Sequence, residues 1–159
     1  MSQHFLLYGC FRIMKDIQIY TLGYYVDRLF SCMVKSLNCK LSEAGLDIQH
    51  PQFALLMILS KQEGMEQSEF SEYVNRDKAS VSRNIKSLEG RGYLIVKPIG
   101  GKKKKIFLSE KGKNLIPRLY EIGNQNTEAT LKGFSEKKRK TIFEDLEKAY
   151  RNVSSSLEK

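Results

Sequence analysis

Three cysteines and two histidines are the whole supply of thiol and imidazole metal ligands in these 159 residues. Cys10, Cys32 and Cys39 are odd in number and contain no CxxC pair, and His4 and His50 lie far apart, so neither a zinc site nor a disulfide framework is expected. No GxxxxGK[ST], HExxH or GxSxG sequence occurs, and neither histidine has an evident relay partner; this argues against an enzyme and for a protein without cofactors. The short apolar run from Phe5 to Phe11 has no Lys or Arg before it, so an export signal is not expected and reduced thiols in a cytoplasmic protein fit best. A hydrophobic content of 41% with 28% charged residues excludes wholesale disorder and gives no sign of a membrane protein.

What the chain does have is positive charge, and it is concentrated. The formal net charge is +9. Between Arg76 and Arg118 stand thirteen Lys and Arg against Asp77, Glu89 and Glu110, a local +10 that leaves the remainder at −1. A positive field confined to about a quarter of the chain suits a phosphate-binding surface, because each neutralised phosphate releases condensed counterions.

The apolar pattern predicts a mainly helical domain with a small β-hairpin. Leu22, Val26, Leu29, Phe30, Met33 and Leu37 recur at steps of three and four, the spacing of a long first helix ending near Asn38. Pro51 is acceptable in the first turn of a second helix, which carries Phe53, Leu55, Leu56, Ile58 and Leu59. A short third helix runs from Gln67 to Val74, a tight turn follows at Asn75 and Arg76, and Asp77 caps a fourth helix. In that fourth helix Val81, Ile85 and Leu88 fall on the inner side. Lys78, Ala79, Ser80, Ser82, Arg83 and Lys86 fall on the other, and two short helices joined in this way form a helix-turn-helix.

Gly92 ends the fourth helix, and Tyr93 to Val96 and Ile106 to Leu108 read as two short strands. The hairpin between them, with Gly100-Gly101, is expected to carry Lys102, Lys103, Lys104 and Lys105 at its tip as a basic wing. Four adjacent lysines repel one another, so a polyanionic partner is the economical explanation. Ser109 caps a fifth helix through Leu115, Ile116, Leu119 and Ile122; Ser135 caps a sixth through Ile142, Phe143, Leu146 and Tyr150. Their stripes, with that of the first helix, exceed what a small winged domain covers, and a two-fold dimer would bury them.

These segments resemble the MarR family of bacterial regulators. Gln67-Ser68-Glu69-Phe70-Ser71-Glu72 is similar to the first helix of its DNA-binding motif, with Ser71 where a small residue permits close crossing. Asp77-Lys78-Ala79-Ser80-Val81-Ser82-Arg83 is similar to the start of its recognition helix. Leu88-Glu89-Gly90-Arg91-Gly92-Tyr93 and Leu108-Ser109-Glu110-Lys111-Gly112 resemble the motifs that end that helix and open the one after the wing. The similarity covers roughly residues 16 to 153, with an N-terminal extension at 1–15 and a single domain at 16–159. Within it, 51–108 is the winged helix-turn-helix, and 16–38 and 109–153 are dimerisation helices. Where the family usually has Asp-x-Arg at the wing this chain has Gly100-Gly101 and lysines, Lys102 or Lys103 being the candidate replacement for the arginine.

The resemblance implies an obligate homodimer on a palindromic operator in double-stranded DNA, acting in transcription as a repressor released by a small phenolic or lipophilic effector. Arg83 and Lys86 are expected to approach bases or phosphates, and Ser80 and Ser82 to supply short hydrogen bonds. Tyr24 and Tyr25 are the residues that could line an effector pocket.

Overall fold

The structure, a computed structural model, describes residues 22–73, 77–100 and 103–157. The extension at 1–15 with Cys10, the turn at Asn75 and Arg76, and Lys102 lie outside these. Two compact units are formed, one up to His50 and one from Pro51 onward. No helix among the described residues is long and apolar enough to cross a membrane.

In the first unit, helix α1 (Leu22–Glu43) runs more than a turn beyond the expected end at Asn38. Asn38 does not stop its own helix because its side chain is used elsewhere: Oδ1 accepts from the His50 N–H at 2.8 Å, satisfying one of the free donors at the start of the next helix. The chain leaves α1 through Gly45, whose φ of +70° is costly for a residue with a β-carbon. The Gly45 and Leu46 amides close the last turn on Ser42 and Leu41 carbonyls, both at 2.9 Å. Leu37, Leu41 and Ile48 are buried, whereas Leu22, Tyr25, Val26, Leu29 and Phe30, on the N-terminal half of the same helix, are exposed.

The second unit holds all but the first residue of α2 (His50–Leu59), apolar around much of its circumference, with Leu55, Leu56 and Leu59 buried. There follow β1 (Met65–Glu66), α3 (Gln67–Tyr73), α4 (Lys78–Gly90), β2 (Leu94–Gly100), β3 (Lys103–Leu108), α5 (Glu110–Thr130) and α6 (Glu136–Leu157). The strands form one antiparallel sheet in the order β1-β3-β2, with Met65 opposite Ile106 and Leu94 opposite Leu108. Strand alternation sends Leu94, Ile106 and Leu108 into the core, beside Phe70 of α3, Val81, Ile85 and Leu88 of α4, and Leu119 and Ile122 of α5.

The hairpin is longer than the sequence suggested. Its strands reach Gly100 and Lys103, so Lys103, Lys104 and Lys105 belong to β3 and not to a loop. Lysine and proline are weak strand formers, which hid the extension. Pro98 is accommodated because β2 is an edge strand, where a missing N–H breaks no ladder. A register shift lies between Pro98 and Gly100, with Gly100 at φ +114°, open to a residue without a β-carbon.

At the base of the hairpin, Ser109 caps α5 by accepting from the Gly112 amide at 3.0 Å, while its own hydroxyl donates to the Gly92 carbonyl at 2.6 Å. Gly112 is there because the Tyr93 carbonyl lies against it: a β-carbon would fall inside contact distance of that oxygen and 3.3 Å from Leu108 Cδ2. Gly112→Ala should therefore destabilise the fold by about 1–3 kcal/mol. The helical Gly90, with nothing within 4 Å of the same atom, should accept alanine without loss. Urea midpoints of the two variants measure the contrast.

Candidate nucleic-acid interface

Helix α4 is built to hold one face outward. Asp77, in extended conformation, accepts from the Ser80 amide at 2.7 Å and so caps the helix as expected. Val81, Ile85 and Leu88 are buried, which fixes the rotation of the helix about its axis. Lys78, Ala79, Arg83 and Lys86 are exposed; Ser80 and Ser82 are half-buried at the edges. Arg83 and Lys86 enter no ion pair among the described residues.

Helix α3 braces the start of α4. Ser71 is buried on α3, its hydroxyl returned to the Gln67 carbonyl at 2.9 Å, and the Gln67 side chain donates to the Lys78 carbonyl at 3.2 Å. The bond from Gln67 was not foreseen, because a polar residue on a short helix announces no partner in sequence. Asn84 also went unsingled; its amide donates to the Ser80 carbonyl at 2.9 Å, occupying that side chain within its own helix.

The lysines of the hairpin are divided between two faces. Lys103 and Lys105 share the outer face of β3 with Phe107, while Lys104 lies on the side of Ile106 and Leu108, beyond the point where the core ends. Lys97, absent from the sequence-derived set, sits directly opposite Lys105 and 5.2 Å from the Phe107 ring centroid. Extending the strand read as Tyr93 to Val96 by a single residue would have included it. Like charges directly opposed on neighbouring strands are destabilising. Glu66, opposite Lys105 on β1, offsets this in part; its carboxylate oxygen lies 3.7 Å from Nζ of the largely exposed Lys103, a weak pair.

Comparison with known proteins places this geometry. The MarR family model matches residues 48–101, the stretch from α2 to the hairpin tip. A Bacillus subtilis (strain 168) protein, the uncharacterized HTH-type transcriptional regulator YybA, is 31% identical over 115 residues, 71% of this chain and 77% of that one. The chain belongs to the MarR family. Among solved structures, a MarR transcriptional regulator from Methanosarcina mazei Go1 superposes with a TM-score of 0.78 at 28% identity, over 84% of this chain and 90% of that one. A MarR family regulator from Listeria monocytogenes, solved in complex with a 26mer DNA, gives 0.77 at 24% identity over 87% and 92% of the two chains. The fold is accordingly the winged helix-turn-helix of this family, mainly α with a small sheet, as the sequence implied.

Elsewhere in this MarR family chain, Tyr24 and Tyr25 meet edge to face with centroids 5.5 Å apart on α1. Tyr24 is half-buried and its hydroxyl accepts from Arg28 at 3.3 Å; Tyr25 is exposed. Cys32 and Cys39 are exposed free thiols two turns apart on the same helix. A further phenol, Tyr120 of α5, is held below the ordinary tyrosine range by hydrogen bonding from Lys61 and then Ser60, against a small opposing effect of burial.

Because the cap of α4 is the carboxylate of Asp77, Asp77→Ala should lower stability by about 1 kcal/mol, and Asp77→Ser should restore most of it. Equal urea midpoints for wild type and Asp77→Ala would show that the cap contributes nothing.

Proposed function

We propose that this MarR family protein is a cytoplasmic, sequence-specific regulator of transcription that binds double-stranded DNA. It acts as a homodimer on a palindromic operator, and as a repressor released by a small-molecule effector. The observation that carries the reading is the outward face of α4: Lys78, Arg83 and Lys86 stand free on a helix whose opposite side is locked into the core. A helix about 10 Å across fits the major groove, where guanidinium and ammonium groups recognise base edges and phosphates. In this assignment Ala79, Ser80 and Ser82 make short contacts, and the lysine strand, Lys102 to Lys105, engages phosphates beside the groove. The Listeria relative crystallised with DNA supports the same use of the fold.

Two apolar faces support the dimer. On α6, Phe143, Leu146, Tyr150, Val153 and Leu157 are exposed at alternating steps of three and four, the spacing of a coiled-coil seam. On α1, Leu22, Val26 and Leu29 repeat the same steps, also exposed. A monomer leaving both faces in water would lose about 25 cal/mol for every Å² of apolar surface that a second copy could cover. We assign the helix-turn-helix and wing to 51–108 and dimerisation to the helices on either side, 16–38 and 109–153. A two-fold axis would then set the two α4 helices about 34 Å apart, one turn of the duplex. Tyr24 and Tyr25 are assigned to the wall of the effector pocket.

Selection of duplex fragments from the source genome by the purified protein tests the central claim. It should return a palindromic motif, and enrichment of RNA in its place would refute the reading. On the selected duplex Arg83→Ala should weaken binding by about 1–3 kcal/mol; an unchanged affinity removes Arg83 from the interface. Leu146→Glu combined with Tyr150→Glu should convert a dimer to a monomer in sedimentation and abolish tight operator binding. A dimer that survives both substitutions locates the interface elsewhere.

A further inference from the structure

Strands β2 and β3 are apolar on both faces where they first pair. Leu94-Ile95-Val96 runs opposite Ile106-Phe107-Leu108. Unbroken runs of this kind belong to strands covered on two sides, whereas an antiparallel sheet with one face in water alternates apolar and polar residues. Leu94, Ile106 and Leu108 account for one side, in the core. The other side carries Ile95 directly opposite Phe107, and Ile95 remains 43% exposed. Gly64 makes room for the Phe107 ring there, since a β-carbon on that residue would stand 3.1 Å from it. Around this apolar pair the charge has one sign. Lys97 and Lys105 form a cross-strand pair on the same face, and Lys103 adds a third ammonium; the sheet's one acid, Glu66, stands against all three.

We propose that this outer face of the sheet is a docking surface for an acidic amphipathic segment of a separate protein, with Ile95 and Phe107 receiving its apolar side chains and Lys97, flanked by Lys105, meeting its carboxylates. The opposite side of the same strands packs beside Val81, Ile85 and Leu88, so the face is turned away from α4. A partner seated on it leaves α4 clear. Complementary charge selects an acidic segment, and the Ile95–Phe107 pair requires that the segment be apolar along one side, as a helix with anchors at steps of three and four is. Addition of a further strand is not the mode, because Pro98 removes a donor from the β2 edge. A single strand of nucleic acid needs an aromatic ring on which to stack its bases, and the Lys97 ammonium already lies over the Phe107 ring, 5.2 Å from its centroid. Duplex phosphates offer nothing to Ile95. Exposed ion pairs are weak by themselves, so the apolar pair supplies affinity and the lysines supply the choice of partner.

The probe is a fluorescein-labelled peptide of about four helical turns, with leucine and phenylalanine at steps of three and four and glutamate between them, titrated against the full chain by fluorescence anisotropy. It should bind, with an affinity that falls as salt rises, and a counterpart with lysine in place of glutamate should not. Ile95→Thr, which keeps a β-branched side chain, should weaken the acidic peptide about fivefold. Lys97→Glu should weaken it about tenfold with a urea midpoint no lower than that of the wild type, because the substitution removes a repulsion from Lys105. Loss of binding in a protein that stable does not come from unfolding. A duplex selected by the wild-type protein should not displace the peptide, and Ile95→Thr should leave the affinity for that duplex unchanged. No change in anisotropy with the acidic peptide, equal binding of the two peptides, or indifference to both substitutions overturns the docking surface. Displacement of the peptide by the duplex overturns it too, by placing the peptide on the side of α4. Preference for a labelled oligothymidine over the peptide replaces it with a site for single-stranded nucleic acid. Should no duplex be selected at all, the DNA reading falls, and the peptide titrations of the protein alone still decide whether this face docks a partner.

Discussion

Burial of one side of α4 is the constraint from which most of the molecule follows. Three aliphatic residues spaced four and three apart cannot reach the core unless the helix adopts one rotation, and that rotation leaves Lys78, Arg83 and Lys86 in water. The end of the helix is held as firmly as its side. The Gly92 and Tyr93 amides close on Glu89 and Leu88 carbonyls at 2.8 and 2.9 Å, with Gly92 at φ +76°. The same short turn receives Ser109 on the Gly92 carbonyl, the Ser109 amide on the Tyr93 carbonyl, and Lys111 Nζ on the Arg91 carbonyl at 2.9 Å. Helix, hairpin and α5 therefore share one anchor. The direction in which the hairpin leaves the body is set by the residue that ends the helix.

Charge distribution then acts on a scaffold that is already rigid. The wing lysines lie on a paired strand and α4 is capped at its first turn, so little backbone entropy is left to lose when these cations meet an anion, and the cost that remains is in the side chains. Mutual repulsion between Lys97 and Lys105 raises the energy of the free protein, and neutralisation by a polyanion relieves it.

Features encoded within a few residues of one another were legible in the sequence. The caps at Asp77 and Ser109, the glycine exit at Gly92 and the inward triplet Val81, Ile85 and Leu88 each depend on neighbours within one or two turns, and each appears where it was expected. What escaped depends on contacts far away in the chain. Strand β1 is two residues long and exists only because Met65 and Glu66 pair with Ile106 and Lys105. The hairpin extends through Pro98 and four lysines because the partner strand supplies hydrogen bonds that local propensity does not announce. The overrun of α1 has the same origin, since the side chain of Asn38 is engaged twelve residues ahead and not in ending its own helix. Lys97 was missed because the strand was read as ending at Val96 and in fact runs on to Gly100.

Pro98 has one more effect. The outer border of a sheet offers unsatisfied donors and acceptors to any passing chain, and an exposed border next to a flat surface invites one molecule to polymerise onto the next. On β2 that border is interrupted by an imino acid that cannot donate, just where Ile95 and Ile99 would otherwise make the margin sticky. The long hairpin can thus reach away from the body, aliphatic residues and all, without becoming a template for amyloid-like stacking.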